Sequence, residues 1–353
     1  MSTIVLISGY RMKYITEDRL SVYIKHLKVK KETALAAYHW NTALAGALFP
    51  AIQCLEVTLR NAIVQAVQSN PPLAAKGLYS TGPDWIFSFT EYMGKKKIKP
   101  QKRFTKKCRP GQAVDGSGYV LGQNGDRLIV ERLWEERKVI DAVQKLTKAG
   151  KAVTANRVIS SMDFGFWTNF LSKEYEDHQS KMLLWPNLLG IVFPNAPQGI
   201  SRQDIESEFN RVRELRNRLT HHEAIWKFFY DDPATGKPDY NRPVYGSNAS
   251  CSLLLKHFED LLKLIGWMSS EVLDDFIKHQ GDARFRALCS LDGLNSFVDP
   301  DKVTNVLAIN KGGWGLKKAV EHLNNGKILR ITRLGNSVVT IGRDFNRSFD
   351  SEK

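Results

Sequence analysis

From about Thr33 to Gln68, apolar residues recur at three- and four-residue steps through ALAAYHWNTALAGALFPAIQCLEVTLRNAIVQAV. That period belongs to one face of a helix, because a strand turns its side chains over at every residue. Two further stretches share it. RLIVERLWEERKVIDAVQKLTKAGK starts near Arg127 and ends at Gly150, and another helix is expected from roughly Ser201 to Phe229. Ser201 suits an N-cap there, with Asp204 three residues on as its acidic partner. SLLLKHFEDLLKLIGWMSSEVLDDFIKH reads as one more long amphipathic helix. The chain is therefore expected to be mainly α. Pro50 has no N–H and crowds the preceding turn, so it should break or kink the first stretch into two helices. After about Pro300 the pattern changes: GKILRITRLGNSVVTIGRDF alternates around Gly335-Asn336, which predicts a small β-hairpin.

The 353 residues are 42% hydrophobic and 25% charged, enough to bury a core. The formal net charge is +14, which favours a polyanionic partner, nucleic acid before membrane. Much of the excess sits in one place. GKKKIKPQKRFTKKCR holds nine cations in sixteen residues and no acid: Lys95, Lys96, Lys97, Lys99, Lys102, Arg103, Lys106, Lys107 and Arg109. A loop of that kind suits sequence-independent, salt-sensitive contacts to phosphates. No run approaches the ~18 consecutive apolar residues of a spanning helix, and no basic region precedes the short apolar run at the N-terminus. Cys54, Cys108, Cys251 and Cys289 are far apart with no CxxC spacing, so reduced thiols in a cytoplasmic protein are expected. The phosphate-loop, HExxH and GxSxG patterns are all missing from the sequence. No metal and no cofactor are expected.

The segment with chemistry in it is VRELRNRLTHHEAIW. Arg216 is followed by Asn217 and, after four intervening residues, by the adjacent pair His221 and His222. Arginine stays charged and offers phosphate oxygens a planar fork of donors. Histidine, with an ordinary pKa of about 6.5, exchanges protons near neutrality. RNA brings its own nucleophile, the 2′-hydroxyl beside each scissile phosphate. Cleavage through it needs proton transfer and charge stabilisation but no metal. On an uninterrupted helix, however, Arg216 and His221 would stand about 140° apart.

Four blocks in this order, YHWNTALAGALF, LEVTLRNAI, MDFGFWTNFLS and VRELRNRLTHHEAIW, resemble the Abi-like (abortive infection, Abi_2) proteins of the HEPN superfamily. The resemblance spans about residues 30 to 280. It implies an HEPN-like helical bundle over 1–300; the basic run reads as a loop insertion near 94–126, and the change of pattern after Pro300 as a small C-terminal α/β extension at 301–353. It also implies a metal-independent endoribonuclease that leaves a 2′,3′-cyclic phosphate and serves as an antiphage toxin. In that scheme Arg216 holds the phosphate, His221 transfers the proton with His222 as substitute, and Asn217 orients the loop or the phosphate. The family pairs two such units, so a homodimer with a composite site is expected. Restraint by a partner protein, a cognate RNA or a dormant conformation is expected as well, and a membrane partner is not. A non-catalytic RNA-binding module is the alternative.

Overall fold

The computed structural model describes residues 15–69, 84–88, 98–100, 121, 128–130, 133–178, 184–235, 238–308, 315–343 and 345–348. Of the basic run, Lys99 falls in a described strand. Lys95, Lys96, Lys97, Lys102, Arg103, Lys106, Lys107 and Arg109 lie outside the described residues. The chain divides into two compact units, Met1–Val57 with Arg211–Lys353, and Thr58–Asn210. As expected, helices dominate, with a small sheet near the C-terminus.

The first unit opens with α1 (Glu17–Val22), capped by the Thr16 hydroxyl, and a π-helical turn at Tyr23–Leu27. Then comes α2 (Ala34–Ser69), whose last turns belong to the second unit. Pro50 does not divide α2. Gly46, whose carbonyl loses its partner to the proline, is exposed, as are Phe49 and Pro50, so water can satisfy that carbonyl. On the other side Leu48, Ala51 and Ile52 are buried, and their packing keeps the helix continuous across the defect. By length and composition α2 could cross a membrane. Here its stripe of Trp40, Leu44, Leu48, Leu55, Leu59 and Ile63 is buried within the protein.

The second unit holds α3 (Trp85–Ser88), β1 (Ile98–Pro100) paired antiparallel with β2 (Leu128–Val130), and α4 (Trp134–Lys148). The segment before Trp134, expected to be helical, thus contains a short strand. Gly150, at φ 62°, ends α4 where the sequence placed the stop. Lys151 N–H bonds to the Leu146 carbonyl and Gly150 N–H to that of Thr147. Next are α5 (Ala155–Ser160), α6 (Phe164–Asn169) and α7 (Leu189–Val192). Aromatic rings fill this core. Phe166 and Phe170 meet edge to face at 5.1 Å, and Phe170 also meets Tyr175 at 5.1 Å. Phe164, Phe166 and Trp167 are fully buried, as their apolar setting in the sequence implies.

Helix α8 (Arg202–Thr220) returns the chain to the first unit. Its start is the expected capping box: Ser201 N–H and hydroxyl both bond to Asp204 Oδ2, at 3.0 and 2.7 Å. These bonds hold the Asp204 carboxyl below its ordinary pKa. Its end falls nine residues before the expected Phe229. A hairpin follows, β3 (Phe229–Asp231) with β4 (Pro238–Pro243), and then α9 (Ser247–Met268) and α10 (Ser270–Lys278). The single long helix expected here is two, because Ser269 leaves helical geometry (φ −158°) and caps α10 through its hydroxyl. With α11 (Ala283–Leu288) and α12 (Leu291–Val298), α9 closes the core: Phe258 stacks on Phe285 at 4.1 Å, and Trp40 Nε1 donates to the Leu288 carbonyl at 2.9 Å.

Near the C-terminus β5 (Asn305–Ala308) runs parallel to β6 (Leu329–Arg333), joined through α13 (Leu316–Asn324). β7 (Asn336–Gly342) pairs antiparallel with β6 and β8 (Phe345–Ser348) with β7, in the order β5-β6-β7-β8. The predicted hairpin is β6–β7. Its two turn residues are Leu334 and Gly335, at φ 51° and 84°, one position earlier than expected.

Candidate functional site

The histidines stand where α8 stops. His221 N–H still bonds to the Asn217 carbonyl at 2.9 Å, one full helical turn back. His222 then swings into the left-handed region at φ 56°. Its N–H bonds to the Leu219 carbonyl at 3.2 Å, and Glu223 N–H to the Arg218 carbonyl at 2.9 Å. This is the six-residue closure that usually ends on glycine, the residue with no Cβ to strain. Histidine tolerates the region better than most residues but still costs about 1 kcal/mol there. His222→Gly is therefore expected to leave stability unchanged or raise it by up to about 1 kcal/mol. A loss in urea denaturation larger than that would show that the imidazole itself holds the fold.

Three side chains lock the loop, two from outside α8 and one from its last turn. Buried Asn41 on α2 donates from Nδ2 to the Glu223 carbonyl at 3.2 Å and accepts at Oδ1 from Ile225 N–H at 3.1 Å. Arg19 on α1 donates through Nη2 to the His222 carbonyl, and Arg218 through Nη1 to that of Lys227. Arg218 also lies over the Phe228 ring, 5.7 Å from its centre, and His257 stacks on Phe228 at 4.7 Å. Burial first, then the charges of Arg211 and Arg218, lowers the His257 pKa, so this imidazole favours its neutral form. Asn41→Ala strands a buried N–H and a carbonyl, a loss of about 1–3 kcal/mol. Urea denaturation and amide exchange at Ile225 should both register it. Unchanged exchange would mean that the loop holds itself.

Beside the loop is a cavity of about 440 Å³. Its lining includes the cations Arg19, Arg218 and Lys227 together with His222, the rings of Phe229 and Tyr240, and one carboxylate residue, Glu223. Lys227 Nζ lies 5.1 Å from the centre of the Phe229 ring. The candidates from the sequence separate here. His222 is at the cavity wall; Arg216, Asn217 and His221 are not among its lining residues. Asn217 and His221 are exposed, and Arg216 is half-buried. Because the helical bonding continues through His221, that residue keeps its place about 140° round the axis from Arg216. The structure therefore does not bring those two together on one helix face. Arg19, Arg218, Lys227 and Asn41 were not legible as site residues, although Arg218 and Lys227 lie within five residues of His222. Among the described residues, no group of three or more His, Cys, Asp or Glu side chains is arranged to hold a metal ion.

No curated protein and no solved structure significantly matches this chain. The family model described as Abi-like protein matches residues 1–227, from before α1 through the histidine loop to Lys227. That span is more than half of the chain, which therefore belongs to the Abi-like family.

Proposed function

We propose that this protein is a metal-independent endoribonuclease of the HEPN type, acting in bacterial abortive infection against phage. The observation that carries the reading is His222. A histidine occupies a backbone position that favours glycine, on a loop fixed by Asn41 and Arg19, at the wall of a cavity rich in cations. Strain kept in place by its surroundings is a mark of functional positions.

In the proposed reaction the ribose 2′-oxygen attacks phosphorus and loses its proton to one imidazole. The bond from phosphorus to the 5′-oxygen breaks, and that oxygen takes a proton from a second imidazole. The products are a 2′,3′-cyclic phosphate and a 5′-hydroxyl. Arg216 holds the phosphate oxygens, and Asn217 orients the loop or the phosphate. His221 and His222 serve proton transfer, and the cavity favours His222 over His221. One protomer presents Arg216 and His221 on different sides of α8, which supports a homodimer whose two motifs share a cleft. Sedimentation should then give about twice the 40.0 kDa chain mass, and a monomer with full activity would refute the composite site. The cations of residues 95–109, Lys99 among them, tether the RNA backbone in this scheme. A cognate RNA or an inhibitory protein restrains the enzyme until infection.

The test is cleavage of labelled RNA in EDTA by the wild-type protein and by Arg216→Ala and His221→Ala/His222→Ala variants. Cleavage lost in the variants, with an all-DNA copy uncut, is the expected result. Tight binding with no cleavage by any form would instead identify a non-catalytic RNA-binding module.

A further inference from the structure

We infer that the aromatic side of the cavity is a stacking site for an unpaired base of single-stranded RNA, with Tyr240 as the platform. The inference rests on the proposed action on RNA and names the part of the substrate that the cavity takes. Tyr240, on β4, is 70% exposed although it lines the cavity. Phe229, on the paired strand β3, meets its ring edge to face at 5.1 Å and so helps to hold its orientation. A tyrosine left this bare gains nothing from burial, whereas an unpaired base offers a flat face that it can cover.

The charges around it fit the same occupant. The cavity lining holds three cations, Arg19, Arg218 and Lys227, and one carboxylate residue, Glu223. Arg19 and Arg218 each tie one amino group to a main-chain carbonyl, which fixes the guanidinium beside the loop. Cations alone would suit any polyanion. Cations next to an exposed ring suit a strand with phosphates and splayed bases, and a duplex, whose bases stack on one another, cannot use the ring. At about 440 Å³ the cavity lies within the range of small-ligand sites, which span roughly 300–1,000 Å³. A base seated on Tyr240 would place its own backbone in the cavity that His222 lines.

The probe is a fluorescein-labelled single-stranded oligonucleotide whose 2′-hydroxyls are replaced by fluorine, so that it binds without being cut. Its affinity is read by anisotropy in EDTA, and cleavage of the natural RNA of the same sequence is measured in parallel. Tyr240→Ala should weaken binding about tenfold, and Tyr240→Phe should retain wild-type affinity. Thermal melting of both variants shows whether they fold. Binding by Tyr240→Ala within about twofold of wild type, or no binding by the wild type, overturns the stacking site. The two readings fail separately. Natural RNA left intact while the Tyr240→Ala defect persists removes the nuclease and keeps the site. Natural RNA cut normally by a protein whose affinity ignores Tyr240 does the reverse.

Discussion

Loss of both loop histidines, in His221→Ala/His222→Ala, is expected to slow RNA cleavage by about 10²–10⁴-fold, the usual worth of a positioned acid or base. Arg216→Ala should cost about 10²–10³-fold, as when one donor to a developing anion is removed. The single variants carry more information. His222 leaves the helix path at φ 56° and lines the cavity, while His221 continues the α8 bonding through its N–H to Asn217. His222→Ala should therefore lose most of the activity lost by the pair, and His221→Ala less. The reverse order would place the reacting phosphate on the His221 side of α8, where a partner subunit would have to complete the site. Melting temperatures of these variants should stay close to wild type, because all three residues lie outside the buried core.

Arg202→Ala is expected to destabilise the protein by about 3 kcal/mol, the low end for breaking a buried ionic network by removing one partner. The Arg202 side chain is 7% exposed at the start of α8. Its Nε lies 3.0 Å from Glu176 Oε2, its Nη1 pairs with Glu206, and Nη1 also donates to the Leu171 carbonyl at 2.5 Å. Alanine would leave Glu206 and the Leu171 carbonyl without this donor and Glu176 without its ion-pair partner. Glu176 and Glu206 are 24% and 29% exposed, so water offsets part of the loss. Glu176 also keeps His178 at 3.2 Å, which makes Glu206 the group more affected. Arg202→Met should lose less than Arg202→Ala through its retained packing. Urea denaturation decides the matter, and a loss below about 1 kcal/mol would mean that the network merely decorates the surface.

How far the sequence can be read depends on the range of the forces involved. The Ser201–Asp204 capping box, the stop at Gly150 and the β6–β7 hairpin all rest on bonds between near neighbours, and their residues announce them. The motif at 216–222 was visible for the same reason, though its geometry was not. No local rule told that α8 stops at Thr220 and turns out on His222, because the residue there is not the glycine that marks such stops. Ser269, lost inside an amphipathic pattern, divides α9 from α10 with equally little warning.

Helical class, family and the arginine-histidine motif were thus determined by the sequence alone, since apolar period and short-range spacing survive without any fold. Tertiary structure alone decided that α2 runs on past Pro50, because buried neighbours on its inner face outweigh one missing hydrogen bond. It also decided the cavity. Arg19 and Asn41 reach the histidine loop from 203 and 182 residues away. Contacts of that span leave no trace in local spacing, because only packing of the whole chain brings their ends together.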